Sequence, residues 1–148
     1  MNKKILIALL TISGESSASE SFILHCEDSS IDTELFTAFI VEKTYNEITI
    51  SKVANPIYKG NLLDISHQLG SLLVGSGTVE KPVNNGETTS YHYKNIQSFE
   101  KLTVENTELE SNRYLAWHSS ATIQDNKLIA TSSTNYKCSS HEFHGITN

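Results

Sequence analysis

The chain has 148 residues, of which 38% are hydrophobic, and a formal net charge of −6 at pH 7. Its length suits one domain with its own core. The acidic charge disfavours a nucleic acid or an anionic membrane surface as a partner, since both are bound by clustered lysine and arginine. We therefore expect any macromolecular partner to be a basic protein.

The N-terminus has the pattern of a signal peptide. Lys3 and Lys4 precede an apolar run from Ile5 to Ile12, and Ser16 and Ala18 are small residues at a cleavage position. The pattern predicts a signal peptide over 1–18 and one mature β domain over 19–148. The apolar run is shorter than the about 20 residues of a membrane-spanning helix, so we expect no membrane insertion of the mature form. A buried N-terminal strand of a cytosolic protein is the alternative.

Two cysteines, Cys26 and Cys138, lie near the two ends of the predicted mature domain. In an exported chain two distant cysteines are typical of one structural disulfide. Neither a C-x-x-C redox pair nor a Cys/His zinc spacing is present. We predict a Cys26–Cys138 disulfide that joins the first strand to the last.

Apolar residues recur with a period near two along the first half of the chain, which is typical of β-strands. Ser21–Cys26 is the first predicted strand. Leu35–Lys43 and Ile48–Val53 form a predicted hairpin around a turn at Thr44–Glu47, with Ile48 and Ile50 on one face. Two further predictions are a short strand within Ile57–Ser66 and a buried strand at Leu72–Val74.

Turn residues organise the second half. Asn84-Asn85-Gly86 separates predicted strands at Thr78–Val83 and Thr88–Lys94. Ser98–Tyr114 is ambiguous: we favour a strand, with a short helix over 107–115 as the alternative. Asp125-Asn126 predicts a two-residue turn that pairs Gln124 with Lys127 and places Ile123 opposite Leu128.

The number and spacing of these segments indicate the fold class. About eight short strands with turn signals every 8 to 12 residues are typical of small all-β domains. A disulfide between the first and last strands suits a closed sheet. We predict an all-β fold, a small antiparallel barrel or sandwich of about eight strands.

Acidic and aromatic side chains are the candidate binding residues. Two predicted loops carry the carboxylates, which are Glu27, Asp28, Asp32 and Glu34 in one and Glu105, Glu108 and Glu110 in the other. Tyr91, Tyr93 and Trp117 combine apolar area with a polar group and predict a recognition patch, the alternative being that they pack the sheet. The acidic loops favour a cationic partner.

The chain carries no recognisable catalytic or cofactor motif. Gly75-Ser76-Gly77 lacks the spacing of a nucleophile elbow, and H-E-x-x-H is absent. His25, His141 and His144 come together if the disulfide forms, but His141 and His144 would lie on opposite faces of a strand. We expect no enzymatic activity, no cofactor and no metal site.

These features favour a periplasmic antagonist, with full secretion as the alternative location. In size, charge and single disulfide the chain resembles the small periplasmic lysozyme inhibitors and the bacteriocin immunity proteins. The c-type lysozyme inhibitors carry Ser-Gly-x-x-Tyr, and the nearest stretch, beginning at Ser76-Gly77, has Glu80 in place of the tyrosine. The resemblance implies an inhibitor or immunity protein that neutralises a cell-wall hydrolase or bacteriocin, without assigning site residues.

Two other classes of function stay open from the sequence. One is a β-barrel that binds a small apolar ligand, as eight-stranded barrels do when their interior is not filled. The other is an accessory subunit of a surface structure, whose strand edges pair with other chains.

Overall fold

The computed structural model describes residues 21–29, 36–59, 62–64, 72–142 and 146–147. The strands in these ranges are β1 Phe22–Asp28, β2 Phe36–Lys43, β3 Ile48–Ala54, β4 Ile57–Lys59, β5 Leu62–Asp64, β6 Leu72–Val79, β7 Val83–Asn84, β8 Thr88–Lys94, β9 Ser98–Glu105, β10 Arg113–Gln124, β11 Lys127–Glu142 and β12 Ile146–Thr147. No helix in this part of the chain is long and apolar enough to span a membrane.

Eight strands form a closed antiparallel barrel, which confirms the predicted all-β fold class. Around the barrel, the order is β1, β2, β3, β6, β8, β9, β10 and β11, so neighbours in the barrel follow one another along the chain. The β6–β8 and β1–β11 pairings close the sheet. β7 pairs with β8 as an extra strand, and β4, β5 and β12 form a separate three-stranded sheet.

The predicted disulfide is confirmed at the β1–β11 seam. Cys26 and Cys138 lie directly opposite each other, both fully buried, with their Cα atoms 4.0 Å apart. The bond joins positions 112 residues apart, so it links the first and last strands of the barrel covalently. A disulfide-bonded barrel of this kind is compatible with an exported protein.

The barrel interior is filled by alternating side chains. Phe39, Leu102 and Tyr136 belong to the central cluster and are at most 5% exposed. A second buried cluster lies on the outer face of β1, β2 and β3, and its members are Ile23, Ala38, Ile40 and Val53. This part of the wall is therefore buried on both faces, which explains the nearly continuous apolar run in β2.

Gly77 on β6 permits the barrel to close against β8. A Cβ atom on Gly77 would lie 2.6 Å from the backbone oxygen of Lys94 and 3.0 Å from Cδ2 of Tyr93. The neighbouring Ser76 is exposed. Gly77 therefore serves close packing of β6 against β8, whereas a Cβ atom on Gly75 would meet the side chain of Asn95.

We predict that Gly77→Ala lowers the free energy of unfolding by about 1–3 kcal/mol, because the added methyl group overlaps backbone atoms of β8. Urea unfolding measures this change. Ser76→Ala, which adds no atom to the interior, is the matched control and should be nearly neutral. Equal stability of the two variants would show that the β6–β8 contact is not tight.

Several sequence predictions need correction. The strand at Leu72–Val74 exists, but Leu73 and Val74 are 45% and 50% exposed, so the prediction that it is buried is wrong. A register shift between Lys52 and Val53 places Leu73 opposite Val53, on the outer side of the wall. The alternative helix over 107–115 is also wrong, because residues 106–112 form a connection and β10 begins at Arg113.

Candidate functional site

Carboxylates concentrate at one end of the barrel, which we call the acidic end. It is formed by the β2–β3 turn, by residues 80–87 and by the β9–β10 loop at 106–112. The described carboxylates there are Glu42, Glu47, Glu80, Glu87, Glu105, Glu108 and Glu110. The basic residues there are Lys43, Lys81 and Arg113. This end therefore carries most of the negative charge of the barrel.

The structure separates the two predicted acidic patches. Glu105, Glu108 and Glu110 lie at the acidic end, whereas Glu27 and Asp28 lie at the opposite end, where β1 finishes. Asp32 and Glu34 fall outside the described residues. The five described carboxylates of these patches therefore do not form one continuous binding surface, since β1 and β9 present their C-terminal ends in opposite directions.

The β9–β10 loop is held in place by hydrogen bonds from Asn106. Its backbone N–H donates to the Glu87 carbonyl at 2.8 Å, and its Nδ2 donates to Asn84 Oδ1 at 3.0 Å. Its Oδ1 accepts a bond from Thr89 Oγ1 at 2.6 Å. Farther along, Leu109 N–H donates to the Arg113 carbonyl at 2.8 Å. The loop thus projects its carboxylates from a pre-organised backbone.

An aromatic recess of about 240 Å³ opens at the acidic end. Phe22, Tyr91, Tyr114 and Glu105 are among its lining residues. Tyr114 donates a hydrogen bond to Glu108 Oε1 at 3.1 Å, and this bond raises the pKa of the Tyr114 hydroxyl. The recess therefore combines aromatic side chains with two carboxylates: Glu105 lies in its wall, and Glu108 lies beside it, bonded to Tyr114.

Two cationic side chains of the chain itself lie against groups at the acidic end. The Lys43 ammonium lies 5.9 Å from the centroid of the Phe22 ring, within the range of a cation–π contact. The Arg113 guanidinium lies 3.7 Å from Glu110 Oε2, and both side chains are substantially exposed. An exposed pair of this kind adds little stability, so Glu110 can exchange Arg113 for an external cation at small cost.

The predicted aromatic patch does not form as a unit. Tyr91 and Tyr93 are each 6% exposed and pack inside the barrel, and burial raises the pKa of both hydroxyls. Trp117 lies between two buried residues, Ala116 and His118, so strand alternation directs it to the outer face. Of the three predicted residues, Tyr91 alone lines the recess.

The histidines near the seam occupy the outer face. The His25 ring stacks on Phe36 with centroids 4.6 Å apart, and burial and the nearby His141 lower the His25 pKa. His144 lies outside the described residues. Within the described ranges, no group of three or more His, Cys, Asp or Glu side chains is arranged to hold a metal ion.

An ionisable cluster that was not predicted from the sequence lies inside the barrel, where the last residues of β8 pair with the first residues of β9. His118 is 5% exposed, with Nε2 at 3.0 Å from Glu100 Oε2 and 3.1 Å from the Tyr93 hydroxyl. Ser98 Oγ donates to Glu100 Oε1 at 2.8 Å. Glu100 Oε2 is buried without a well-directed hydrogen bond. Strand alternation could have predicted this cluster. Glu100 is two residues from the buried Leu102 on β9, and His118 is two residues from the buried Ala116 on β10, so both point to the inner face.

The electrostatics of this cluster keep the imidazole neutral. Burial, followed by the positive charge of Lys52, lowers the pKa of His118 to about 4. Burial also lowers the pKa of Lys52, and the Glu100 carboxylate opposes that change. A neutral ring carries one proton, so Nε2 either donates to Glu100 or accepts from Tyr93. The cluster links β8, β9 and β10 and leaves little room for a substrate at the ring.

Comparison with known proteins gives no relative for this chain: no protein-family model, no curated protein and no solved structure matches it.

Proposed function

We propose that the protein is a non-enzymatic, exported binding protein that captures a basic protein through its acidic end. The observation that carries this proposal is the ordered acidic loop beside the aromatic recess. The class of partner is a cationic protein such as a cell-wall hydrolase or a bacteriocin. The role is that of a periplasmic inhibitor or immunity protein.

The recognition chemistry follows from the groups at the acidic end. A lysine or arginine side chain of the partner enters the recess beside Tyr114 and pairs with Glu105, as Lys43 already lies over Phe22. Glu108 and Glu110 on the loop attract the rest of a basic surface. Such rim carboxylates act mainly on the association rate, because they steer a cationic partner during approach.

The filled interior favours a protein over a small apolar ligand. The inner side chains of β2, β8 and β9 are packed together, as Phe39, Tyr91 and Leu102 illustrate. The recess, at about 240 Å³, is below the about 300–1,000 Å³ of typical small-molecule pockets. A shallow recess of this size suits one side chain of a macromolecular partner.

Export to the periplasm is supported by two features. Lys3, Lys4 and the apolar run after them have the pattern of a signal peptide. The buried Cys26–Cys138 bond suits an oxidising compartment. Processing of the purified protein at its N-terminus, measured by mass spectrometry after expression with export, tests the predicted cleavage near Ala18.

A binding screen tests the proposed function. The protein is immobilised and exposed to a panel of basic cell-wall hydrolases, beginning with a c-type lysozyme, at low and physiological salt. We expect a stoichiometric complex with at least one member that inhibits its activity and weakens about tenfold or more as salt screens the charges. If every hydrolase fails to bind at both salt concentrations, the proposed class of partner is wrong.

A further inference from the structure

The hairpin of β10 and β11 extends beyond the barrel, and we call its residues 119–133 the arm. β11 pairs with β10 from Lys127 to Ser139 but with β1 only from Tyr136 onward. The backbone N–H of Ser29 donates to the Asn135 carbonyl at 3.0 Å, where the β1 seam ends. In the part of the chain that the structure describes, β11 therefore has no second neighbour over 127–134.

This edge, which has no second neighbour among the described residues, is accessible to another strand. Every side chain from Lys127 to Ser133 is exposed. Phe99, Leu128 and Ile129 are 52%, 62% and 56% exposed, and register places Phe99 opposite Ala121 and Leu128 opposite Ile123. The arm thus combines apolar side chains that solvent still reaches with backbone groups on one edge that no described residue pairs.

The edge also lacks two of the features by which monomeric proteins prevent edge-to-edge pairing, namely charged side chains and proline. Residues 128–135, LIATSSTN, contain no charged residue and no proline. The register shift at Thr122/Ile123 leaves Ile129 without a partner on β10, and the β10–β11 pairing is regular from Ala130 to Ser139. An exposed, uncharged and β-branched edge of this length is a template for a further strand.

Charge and symmetry identify the occupant as a second copy. The edge is self-complementary, because two identical uncharged strands can pair antiparallel about a two-fold axis without opposing like charges. The acidic end lies at the other end of the barrel, so pairing through the arms keeps the two acidic ends apart. A charged partner segment would find no complementary group between Leu128 and Asn135.

We propose that the protein forms a two-fold symmetric dimer in which residues 128–134 of two copies pair as antiparallel strands. The β9, β10 and β11 strands of each copy then continue into one six-stranded sheet across the axis. Phe99 and Leu128 of both copies lie along one face of this sheet, where part of their exposed area is covered. Both acidic ends stay open, which gives the dimer two binding surfaces.

Sedimentation velocity tests the dimer at increasing protein concentration. Thr131→Lys/Ser133→Lys places like charges across the axis, so it is expected to weaken dimerisation at least tenfold. Thr131→Glu/Ser133→Glu should do the same, and an equimolar mixture of the two variants should restore a dimer by pairing opposite charges. A parent protein that stays monomeric at about 100 μM overturns the proposal, as do lysine variants that still dimerise.

Hydrogen exchange provides a readout that does not depend on the variants folding. The amides of residues 128–134 should exchange more slowly at high protein concentration than at low concentration, while amides of the β6–β8 contact should not change. Concentration-independent exchange throughout the arm would contradict pairing at this edge. Binding of a hydrolase at the acidic end is a separate property, so either result leaves that proposal to its own test.

Discussion

Replacing Cys26 and Cys138 together with alanine is expected to lower the free energy of unfolding by about 5 kcal/mol. The bond closes a loop between positions 112 residues apart, and the loss of chain entropy on cross-linking such a loop gives an effect of this size. Small domains are stable by only about 5–15 kcal/mol, so the variant should be close to unfolding at physiological temperature. Urea unfolding of the oxidised parent and the variant measures the difference.

The position of the disulfide explains why the barrel depends on it. β1 pairs with β11 over seven residue pairs, from Phe22↔Glu142 to Asp28↔Tyr136, and Cys26↔Cys138 lies within that seam. Without the bond, closure of the barrel depends on non-covalent contacts between β1 and β11, the two barrel strands that are farthest apart in the sequence. As a control, a reducing agent should destabilise the parent and leave the double-alanine variant unchanged. A loss below about 1 kcal/mol would contradict a closing role for the disulfide.

Acidification is the second large perturbation, and it acts through His118. Its pKa is about 4 in the folded protein and about 6.5 in the unfolded chain, so between these values the unfolded chain binds more protons. Stability is therefore highest above pH 6.5 and falls as the pH decreases toward 4. The shift corresponds to at most about 3 kcal/mol. Unfolding free energies measured from pH 7 to pH 4 test this expectation.

His118→Gln separates this contribution from the general effect of acid. The variant should be less stable at pH 7, because Tyr93 and Glu100 lose their ring contact, but its stability should fall less steeply below pH 6.5. His92→Gln removes an exposed histidine from β8 and should retain the slope of the parent. If stability falls equally steeply with decreasing pH in all three proteins, the difference in protonation of His118 between the folded and unfolded states is not the cause of the acid sensitivity.

Local sequence pattern predicted most of the barrel strands, the Asp125-Asn126 hairpin and the disulfide, but the strand predicted at Thr78–Val83 is interrupted at 80–82, between β6 and β7. The Asp125-Asn126 turn pairs Gln124 with Lys127 and Ile123 with Leu128, as predicted, because both turn residues adopt positive φ angles of 50° and 59°. Thr88–Lys94 is a strand whose Tyr91 and Tyr93 share the inner face. The spacing of Cys26 and Cys138 in a short chain with a signal-like N-terminus was enough to predict their bond.

The site was less predictable, because it depends on register between distant strands. Sequence order cannot show that Glu27 and Glu105 lie at opposite barrel ends. The outward position of Trp117 depends on the face that Ala116 and His118 occupy, and the exposure of Leu73 depends on a register shift. The Glu100–His118 contact joins two strands whose pairing was ambiguous in the sequence. Each of these features is set by tertiary pairing rather than by local propensity.

The proposed function depends most directly on the acidic end being the surface that binds the partner. The most direct measurement is the association rate and affinity for a basic cell-wall hydrolase, compared between two variants that remove equal charge. Glu105→Gln/Glu110→Gln changes the acidic end, and Glu27→Gln/Asp125→Asn changes exposed carboxylates at the opposite end and on the arm. We predict about tenfold slower association for the first variant at low salt and little change for the second. Equal effects, or a larger effect of the second variant, would contradict recognition through the acidic end.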